Sequence, residues 1–192
     1  ISKDRIPLWN RYMPQAADAP VAFPASSGGM LKVVYFPSCI SRTMGPAKGD
    51  PDKDSIPDAM VRVLLKAGYE IIYPQHLNTL CCGTPFESKG HFEQADIKAR
   101  ELEDALRQAS ENGNWPVLCD ISPCLYRMRQ VMNSGLKLYE PVEFIHDFLM
   151  ERLAFTPQPQ TVAIHNTCSA MKMGLENKFK AVARACADNV VV

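Results

Sequence analysis

The sequence lacks an excess of charge of either sign. Its 192 residues carry 21 Lys and Arg against 21 Asp and Glu, so the formal net charge is zero. A chain with this balance has no electrostatic footprint for nucleic acid or for an anionic membrane. Its aliphatic runs are short and interrupted by charges, so none approaches the roughly 18 apolar residues of a membrane span. We therefore expect neither a nucleic-acid-binding protein nor a transmembrane one.

Several familiar sequence signals are also missing. Nothing at the start of the sequence resembles a secretory signal peptide, and the sequence contains no P-loop, no nucleotide-binding glycine fingerprint and no Cys-x-x-Cys-His haem attachment motif. Seven cysteines without a secretory signal favour reduced thiols that bind metal or carry out redox chemistry, instead of a disulfide framework. We expect a cytoplasmic location, with peripheral attachment at the inner membrane as the alternative.

Short β-branched and aromatic runs alternate with segments of helical periodicity. The predicted strands cover residues 32–36, 69–73, 115–118, 136–139 and 161–165, and the predicted helices cover 58–67, 91–110, 122–132, 141–153 and 175–187. This alternation predicts an α/β fold, with a mainly parallel sheet that has helices on both faces. The carboxyl ends of its strands would form the edge at which a site lies.

The composition and an internal repeat divide the chain. Residues 1–30 are rich in Pro, Gly and Ser and lack periodicity, so we expect a linker there. Residues 32–45 align with 161–174 at an offset of 129 residues, with four identities. We expect a first repeat at 31–160 and the truncated start of a second at 161–192, whose own cysteine pair would follow Val192. Because the chain opens on Ile1 instead of Met, we expect a piece of a longer protein.

Two adjacent cysteines, Cys81 and Cys82, stand at the centre of the sequence. Neighbouring residues do not easily form a disulfide with each other, so this pair is better interpreted as aimed at a shared partner. Cys39 and Cys119 follow predicted strands, and Cys124 lies at the start of a predicted helix. A parallel sheet would bring all of these thiols to one edge.

Thiolates are soft ligands that suit zinc, copper(I) or iron–sulfur clusters. Five converging thiolates exceed the four of a tetrahedral zinc site, so an iron–sulfur cluster explains the number better. If Cys119 is a buried thiol instead of a ligand, four remain, and either zinc or a cubane cluster is possible. Cys186 lies inside an amphipathic helix, where we expect a small buried apolar side chain. The histidines near the cysteines are not included among the metal ligands.

The segments VVYFPSCISRTMG, LCCGTPFESKGH, CDISPCLYRM and HNTCSAMKMG resemble the cysteine-rich CCG domain. This domain occurs in the cysteine-rich subunit of heterodisulfide reductase and in iron–sulfur subunits of glycolate and lactate oxidation systems. The likeness covers nearly everything from Leu31 onward, and it is greatest to the C-terminal region of D-lactate dehydrogenases that use FAD and iron–sulfur clusters. The spacing departs from the heterodisulfide reductase pattern, because four residues instead of two separate the last pair of the first repeat.

The resemblance implies a cluster of the 4Fe–4S type in the parent protein. Its implied metal ligands are Cys39, Cys81, Cys82, Cys119 and Cys124. Cys168 is implied as a further cofactor-binding residue, since it is the one cysteine that the second repeat supplies here.

The resemblance also implies a function. The chain would be the iron–sulfur electron-transfer domain of a flavin-dependent 2-hydroxy acid dehydrogenase of the D-lactate or glycolate type. It would receive electrons from FAD bound in a preceding domain, alongside a ferredoxin-like domain, and pass them to a downstream acceptor. This piece would hold no complete active site of its own. Two alternatives stay open, namely a thiol/disulfide site like that of heterodisulfide reductase, and a zinc-stapled or metal-free interaction domain.

Overall fold

A computed structural model of the chain describes residues 14–16, 31–47, 49, 54–133 and 135–192. Its elements are, in chain order, β1 (Pro14–Ala16), β2 (Leu31–Phe36), α1 (Cys39–Thr43), β3 (Met44–Ala47), α2 (Ile56–Lys66), β4 (Tyr69–Ile72), a 3-10 turn (Leu77–Thr79), α3 (Thr84–Glu87), α4 (Phe92–Ala109), β5 (Val117–Cys119), α5 (Ser122–Val131), β6 (Leu138–Tyr139), α6 (Pro141–Phe144), a π-helical turn (Ile145–Leu149), β7 (Gln158–Ala163), α7 (Cys168–Lys172), α8 (Glu176–Cys186) and β8 (Ala187–Val191).

The main sheet contains four parallel strands in the order β4–β2–β5–β6. The two central strands, β2 and β5, are apolar and buried along nearly their whole length, as expected when both faces of a parallel sheet are covered. The carboxyl ends of β2, β4 and β5 therefore lie side by side at one edge. The predicted α/β class, with its parallel sheet, is confirmed.

Each face of this sheet carries its own hydrophobic core, because successive strand side chains point to opposite faces. On one face α4 and α5 pack against β2 and β5, and the largest buried side chains are Phe36, Leu102, Leu106, Leu125 and Met128. On the other face α2 and α6 cover the same strands, and the largest buried side chains are Tyr35, Leu64, Leu118, Phe144 and Leu149. The strands at the cysteine edge are thus fixed from both sides.

Some boundaries differ from the prediction. The helix expected over 141–153 is a short α6 followed by the π-helical turn, and β7 begins at Gln158, three residues before the strand predicted to start at residue 161. Within the predicted linker, Pro14–Ala16 forms a strand that pairs antiparallel with β3, while the remaining residues of 1–30 lie outside the described residues. The strands β1 and β7 depend on pairing with distant segments, which local sequence patterns do not encode.

The second unit follows the same order of elements as the start of the first. In each, a strand leads to a short helix whose first residue is a cysteine, then to a longer helix and a parallel strand, except that β3 lies between the two helices of the first. Ser38 caps the helix that starts at Cys39, and Thr167 caps the helix that starts at Cys168. The division into repeats at residue 160 remains a prediction.

Over the part of the chain that the structure describes, no helix has the length and apolarity needed to cross a membrane.

Candidate metal centre

Four of the candidate cysteines form a continuous row at the carboxyl edge of the sheet. The side chain of Cys39 interacts with that of Cys81, Cys81 interacts with Cys82, and Cys82 interacts with Cys124. Two of these contacts, Cys39 with Cys81 and Cys82 with Cys124, join residues that are 42 positions apart in the sequence.

Each thiol of the row is delivered by a different local structure. Cys39 begins α1 directly after β2, whereas Cys81 and Cys82 follow the 3-10 turn that leaves β4. Cys124 is the third residue of α5, which the sequence predicts to start at Ser122-Pro123. Pro123 suits the first turn of a helix, because its missing N–H would have no partner there.

Cys119, the last residue of β5, lies behind the row. Its side chain has no exposed surface and donates a weak hydrogen bond from Sγ to the Ile121 carbonyl oxygen at 3.9 Å. Its one electrostatic contact with a row cysteine is with Cys82. The structure thus brings all five predicted metal ligands to one edge, four in contact with one another and the fifth buried beneath.

The row raises the pKa of its own members. Burial and the neighbouring Cys81 thiol raise the pKa of Cys39. The hydrogen bond with Cys82, together with burial, raises the pKa of Cys81, and the hydrogen bond with Cys124 raises the pKa of Cys82 to about 11. The raised pKa values favour the protonated thiol form of Cys39, Cys81 and Cys82. A bound metal cation would reverse that balance and deprotonate the thiols that it coordinates.

The structure explains why a glycine, Gly83, follows the two adjacent cysteines. It has φ of 88°, in the left-handed region, and a Cβ at this position would overlap the backbone carbonyl oxygen of Ala95 in α4. The loop can therefore lie against α4 only when this residue has no side chain. Its backbone N–H donates to Sγ of Cys81 at 3.4 Å, and Sγ of Cys82 donates to the Thr84 hydroxyl at 3.2 Å.

Two arginines donate hydrogen bonds to backbone carbonyl oxygens of the cysteine loop and the turn before it. Arg127 is buried and donates from Nε to the Cys82 carbonyl oxygen at 3.1 Å, while its other nitrogens bind the carboxylates of Glu87 and Asp96. Arg42 donates to the carbonyl oxygens of Leu77 at 2.6 Å and Leu80 at 2.8 Å.

Sequence reasoning missed both arginines, although a signal was available. Arg42 follows Cys39 by three residues, and Arg127 follows Cys124 by three residues. On a helix this spacing places the two side chains on one face, so each cysteine has an arginine one turn further on.

Asp120 was also missed. Its carboxylate is buried directly after Cys119 and accepts hydrogen bonds from the backbone N–H of Ser38 at 2.8 Å and from the Tyr35 hydroxyl at 3.0 Å. Burial raises the pKa of Asp120, and these hydrogen bonds oppose that shift. The carboxylate joins the ends of β2 and β5 beneath the cysteines.

The remaining cysteines lie outside the row. Cys168 is exposed at the start of α7, beside a shallow cavity of about 290 Å³ that Thr84 and Tyr126 also line. The expectation that Cys186 is buried is wrong, because its side chain is exposed on α8, a helix with no buried residue.

The donor atoms of the row limit which metal group can fit. Among the described residues, no group of three or more His, Cys, Asp or Glu side chains could hold a metal ion as placed. A zinc ion needs about four ligands around one point. A cluster with four irons is also held by four cysteines, but these bind different iron atoms of the cluster. A row of four thiols with no oxygen or nitrogen donors among them fits an iron–sulfur group in its chemistry.

Comparisons with known proteins agree with this chemistry. A family model described as CCG, cysteine-rich domain, matches residues 33–129. Curated relatives include "Lactate utilization protein A" of Bacillus thuringiensis (strain Al Hakam) and of Bacillus cereus, and "Lactate utilization protein A 2" of Bacillus anthracis. Each is 25% identical over 152 residues, which cover 74% of this chain and 59% of the relative. The chain thus spans less than two thirds of the length of these relatives. No solved structure matches it significantly.

Proposed function

The chain belongs to the family of cysteine-rich CCG domains, as its sequence predicts, and on that premise we propose that it is an iron–sulfur electron-transfer domain of a 2-hydroxy acid dehydrogenase. The observation that carries the proposal is the row of four thiols at the carboxyl edge of the sheet. Structural packing alone does not require a continuous line of thiols from three separate segments.

Cys39, Cys81, Cys82 and Cys124 are the proposed ligands of a cluster of the 4Fe–4S type. When bound, such a cluster accepts and releases single electrons at a potential set by burial and by hydrogen bonds to its sulfurs. The buried thiols of Cys82 and Cys124 keep water from one side of the site, while Cys39 and Cys81 are partly exposed. Ligation would replace the contacts between thiols by bonds from sulfur to metal.

Cys119 and Cys168 have different proposed roles. Cys119 is fully buried behind Cys82, so we assign it to packing behind the row. Cys168 is exposed and outside the row, and it is a proposed ligand only together with the further cysteines of a complete second repeat.

The wider context is also a proposal. The relatives are named for lactate utilization, which supports D-lactate or a similar 2-hydroxy acid as the substrate of the whole system. FAD in a preceding domain would oxidise that substrate, a ferredoxin-like domain would accompany it, and this domain would carry electrons to a downstream acceptor. FAD is not expected to bind to this chain, and the proposed location is cytoplasmic, with peripheral attachment at the inner membrane as the alternative.

A second candidate is a thiol/disulfide site of the heterodisulfide reductase type. One observation favours it, namely that the exposed Cys168 lies beside a cavity also lined by Thr84, the residue that accepts the hydrogen bond from Cys82. A zinc-stapled domain has less support, because no three candidate ligands in the described residues converge on one point.

Anaerobic purification followed by iron and acid-labile sulfide analysis separates these functions. Iron and sulfide in equal amounts support the electron-transfer domain, whereas zinc, or no metal after reconstitution with iron and sulfide, contradicts it. Turnover of a disulfide substrate by the loaded protein would favour the second candidate.

A further inference from the structure

Arg42 uses its guanidinium to join the two segments that carry Cys39 and Cys81. Its Nη1 and Nη2 donate to the carbonyl oxygens of Leu77 and Leu80, the last of which directly precedes Cys81. Its Nε donates to the Pro37 carbonyl oxygen at 3.0 Å, at the point where β2 leads into Cys39. One planar side chain thus ties the start of α1 to the loop that holds the adjacent cysteines.

The charge of Arg42 is balanced differently from that of the other part-buried arginines. Arg127 and Arg129 both form salt bridges with carboxylates, whereas among the described residues no Asp or Glu forms one with Arg42. All of its hydrogen bonds go to backbone carbonyl oxygens, which carry no net charge. Placing a cation partly out of water without a paired anion is costly.

The groups that interact with this charge belong to the cysteine site. Arg42 interacts electrostatically with the thiols of Cys39 and Cys81 and with the Asp120 carboxylate behind them. A positive charge therefore lies beside the proposed ligands of the site.

From these contacts we propose that Arg42 is both the clamp and the counter-charge of the cysteine site. It is a positioning residue that holds Cys39 next to Cys81, and its positive charge offsets the negative charge of the group that these cysteines bind. This inference rests on the proposed function for its second half, since the counter-charge acts on a bound anionic cluster. The clamp concerns the chain alone.

The clamp is tested on the metal-free, reduced protein with dibromobimane, a reagent that links two thiols only when they are close together. Mass spectrometry after digestion measures the yield of the Cys39–Cys81 bridge in the wild type, R42Q, R42K and R129Q. Arg129 is a matched control, because it is a part-buried arginine that donates to the Leu138 carbonyl oxygen and to Glu143, away from the cysteines.

We expect a bridge yield in R42Q that is several-fold below that of the wild type and R129Q. R42K should lose yield as well, because a lysine cannot span two carbonyl oxygens with a planar fork. Equal yields in R42Q and R129Q would overturn the clamp. If R42Q fails to fold, as judged by circular dichroism, the comparison of R42K with the wild type decides in its place.

The counter-charge is tested on the protein reconstituted with iron and sulfide, by redox titration followed with electron paramagnetic resonance. Removing a positive charge beside the cluster disfavours the more negative, reduced state, so R42Q should have a lower reduction potential than the wild type. R42K, which keeps the charge, should lie near the wild type, and so should R129Q. An unchanged potential in R42Q would overturn the counter-charge.

The bridge yield and the reduction potential test the two halves of the inference independently. If the wild type takes up no cluster, the proposed function and the counter-charge both fail, while the bridge yield still supports or overturns the clamp. If the wild type is loaded but neither readout changes in R42Q, the proposed function stands and the inference about Arg42 is wrong.

Discussion

The carboxylate of Asp120 accepts a hydrogen bond at 2.8 Å from the backbone N–H of Ser38, a residue 82 positions earlier in the chain. Asp120 directly follows Cys119, and Ser38 directly precedes Cys39. The hydroxyl of Ser38 in turn caps α1 by accepting from the N–H of Ser41. The position of Cys39 therefore depends on a carboxylate that belongs to another strand and is not itself a candidate ligand.

Replacing Asp120 with Ala should destabilise the protein. The substitution leaves the Ser38 N–H and the Tyr35 hydroxyl without their buried acceptor, a loss of roughly 2–4 kcal/mol in the free energy of unfolding. D120N keeps an acceptor oxygen and should lose less. Urea denaturation measures the difference, with D104A as the control because Asp104 is exposed on α4. Equal stabilities of D120A and D104A would show that the carboxylate does not fix this edge.

Replacing Gly83 with Ala should prevent the cysteine loop from lying against α4. The new Cβ would overlap the Ala95 carbonyl oxygen, and the left-handed φ adds strain, so we expect a loss of about 3 kcal/mol or more. Gly90 is the matched control, since it also has a positive φ but nothing within 4 Å of its added Cβ. G90A should lose only about 1 kcal/mol. Thermal unfolding of the two variants tests this, and similar losses would contradict the close packing at Gly83.

Cys119 and Cys124 should differ in their effect on iron content. Cys124 contacts Cys82 within the row, so C124A should lose bound iron after anaerobic reconstitution. Cys119 is buried behind the row, so C119A should retain iron and lose about 1–2 kcal/mol of stability through the small cavity left behind. Iron analysis of both variants checks this. If C119A loses as much iron as C124A, Cys119 is a ligand, as the family resemblance implies.

The ion pair between Lys178 and Asp147 should link α8 to the π-helical turn in a pH-dependent way. Partial burial alone would raise the pKa of Asp147, but hydrogen bonds with Lys178 and His146 lower it below its usual 3.8. Since its pKa is lower in the folded state, the stability from Asp147 is present above pH 3.8 and is lost as the pH falls through the folded pKa.

The variant K178M tests this link. Both charged side chains are more than a quarter exposed, so the substitution should cost only about 0.5 kcal/mol at pH 7. The difference in stability between K178M and the wild type should disappear in acid once Asp147 is protonated. K180M, which changes another lysine on the same helix, is the control. Thermal unfolding across this pH range measures the effect, and a difference that persists in acid would assign the role of Lys178 to packing.

The sequence predicts the sheet and the cysteine edge because both depend on local patterns. Each strand and helix has its own periodicity, and a parallel arrangement places the carboxyl ends of strands together, as seen for Cys39 and Cys119. The sequence does not predict β3, because that strand exists through its pairing with Pro14–Ala16.

Arg127 and Cys186 show that the sequence does not predict which helical side chains are buried. An arginine in an amphipathic helix is ordinarily solvent-exposed, and Arg127 is buried because Glu87 and Asp96 approach it from other segments. Likewise Cys186 matches the pattern of a core residue, but nothing in the described part of the chain covers its side of α8. Burial of this kind is set by tertiary packing, which a single helical pattern does not contain.

The central claim is that the row of thiols binds one iron–sulfur cluster, and electron paramagnetic resonance of the reduced, anaerobically reconstituted protein tests it most directly. The wild type and C186S should show the same cluster signal, while the double substitution C81S/C82S should abolish it and leave the circular dichroism spectrum of the fold unchanged. A cluster signal of full intensity in C81S/C82S would contradict the assignment.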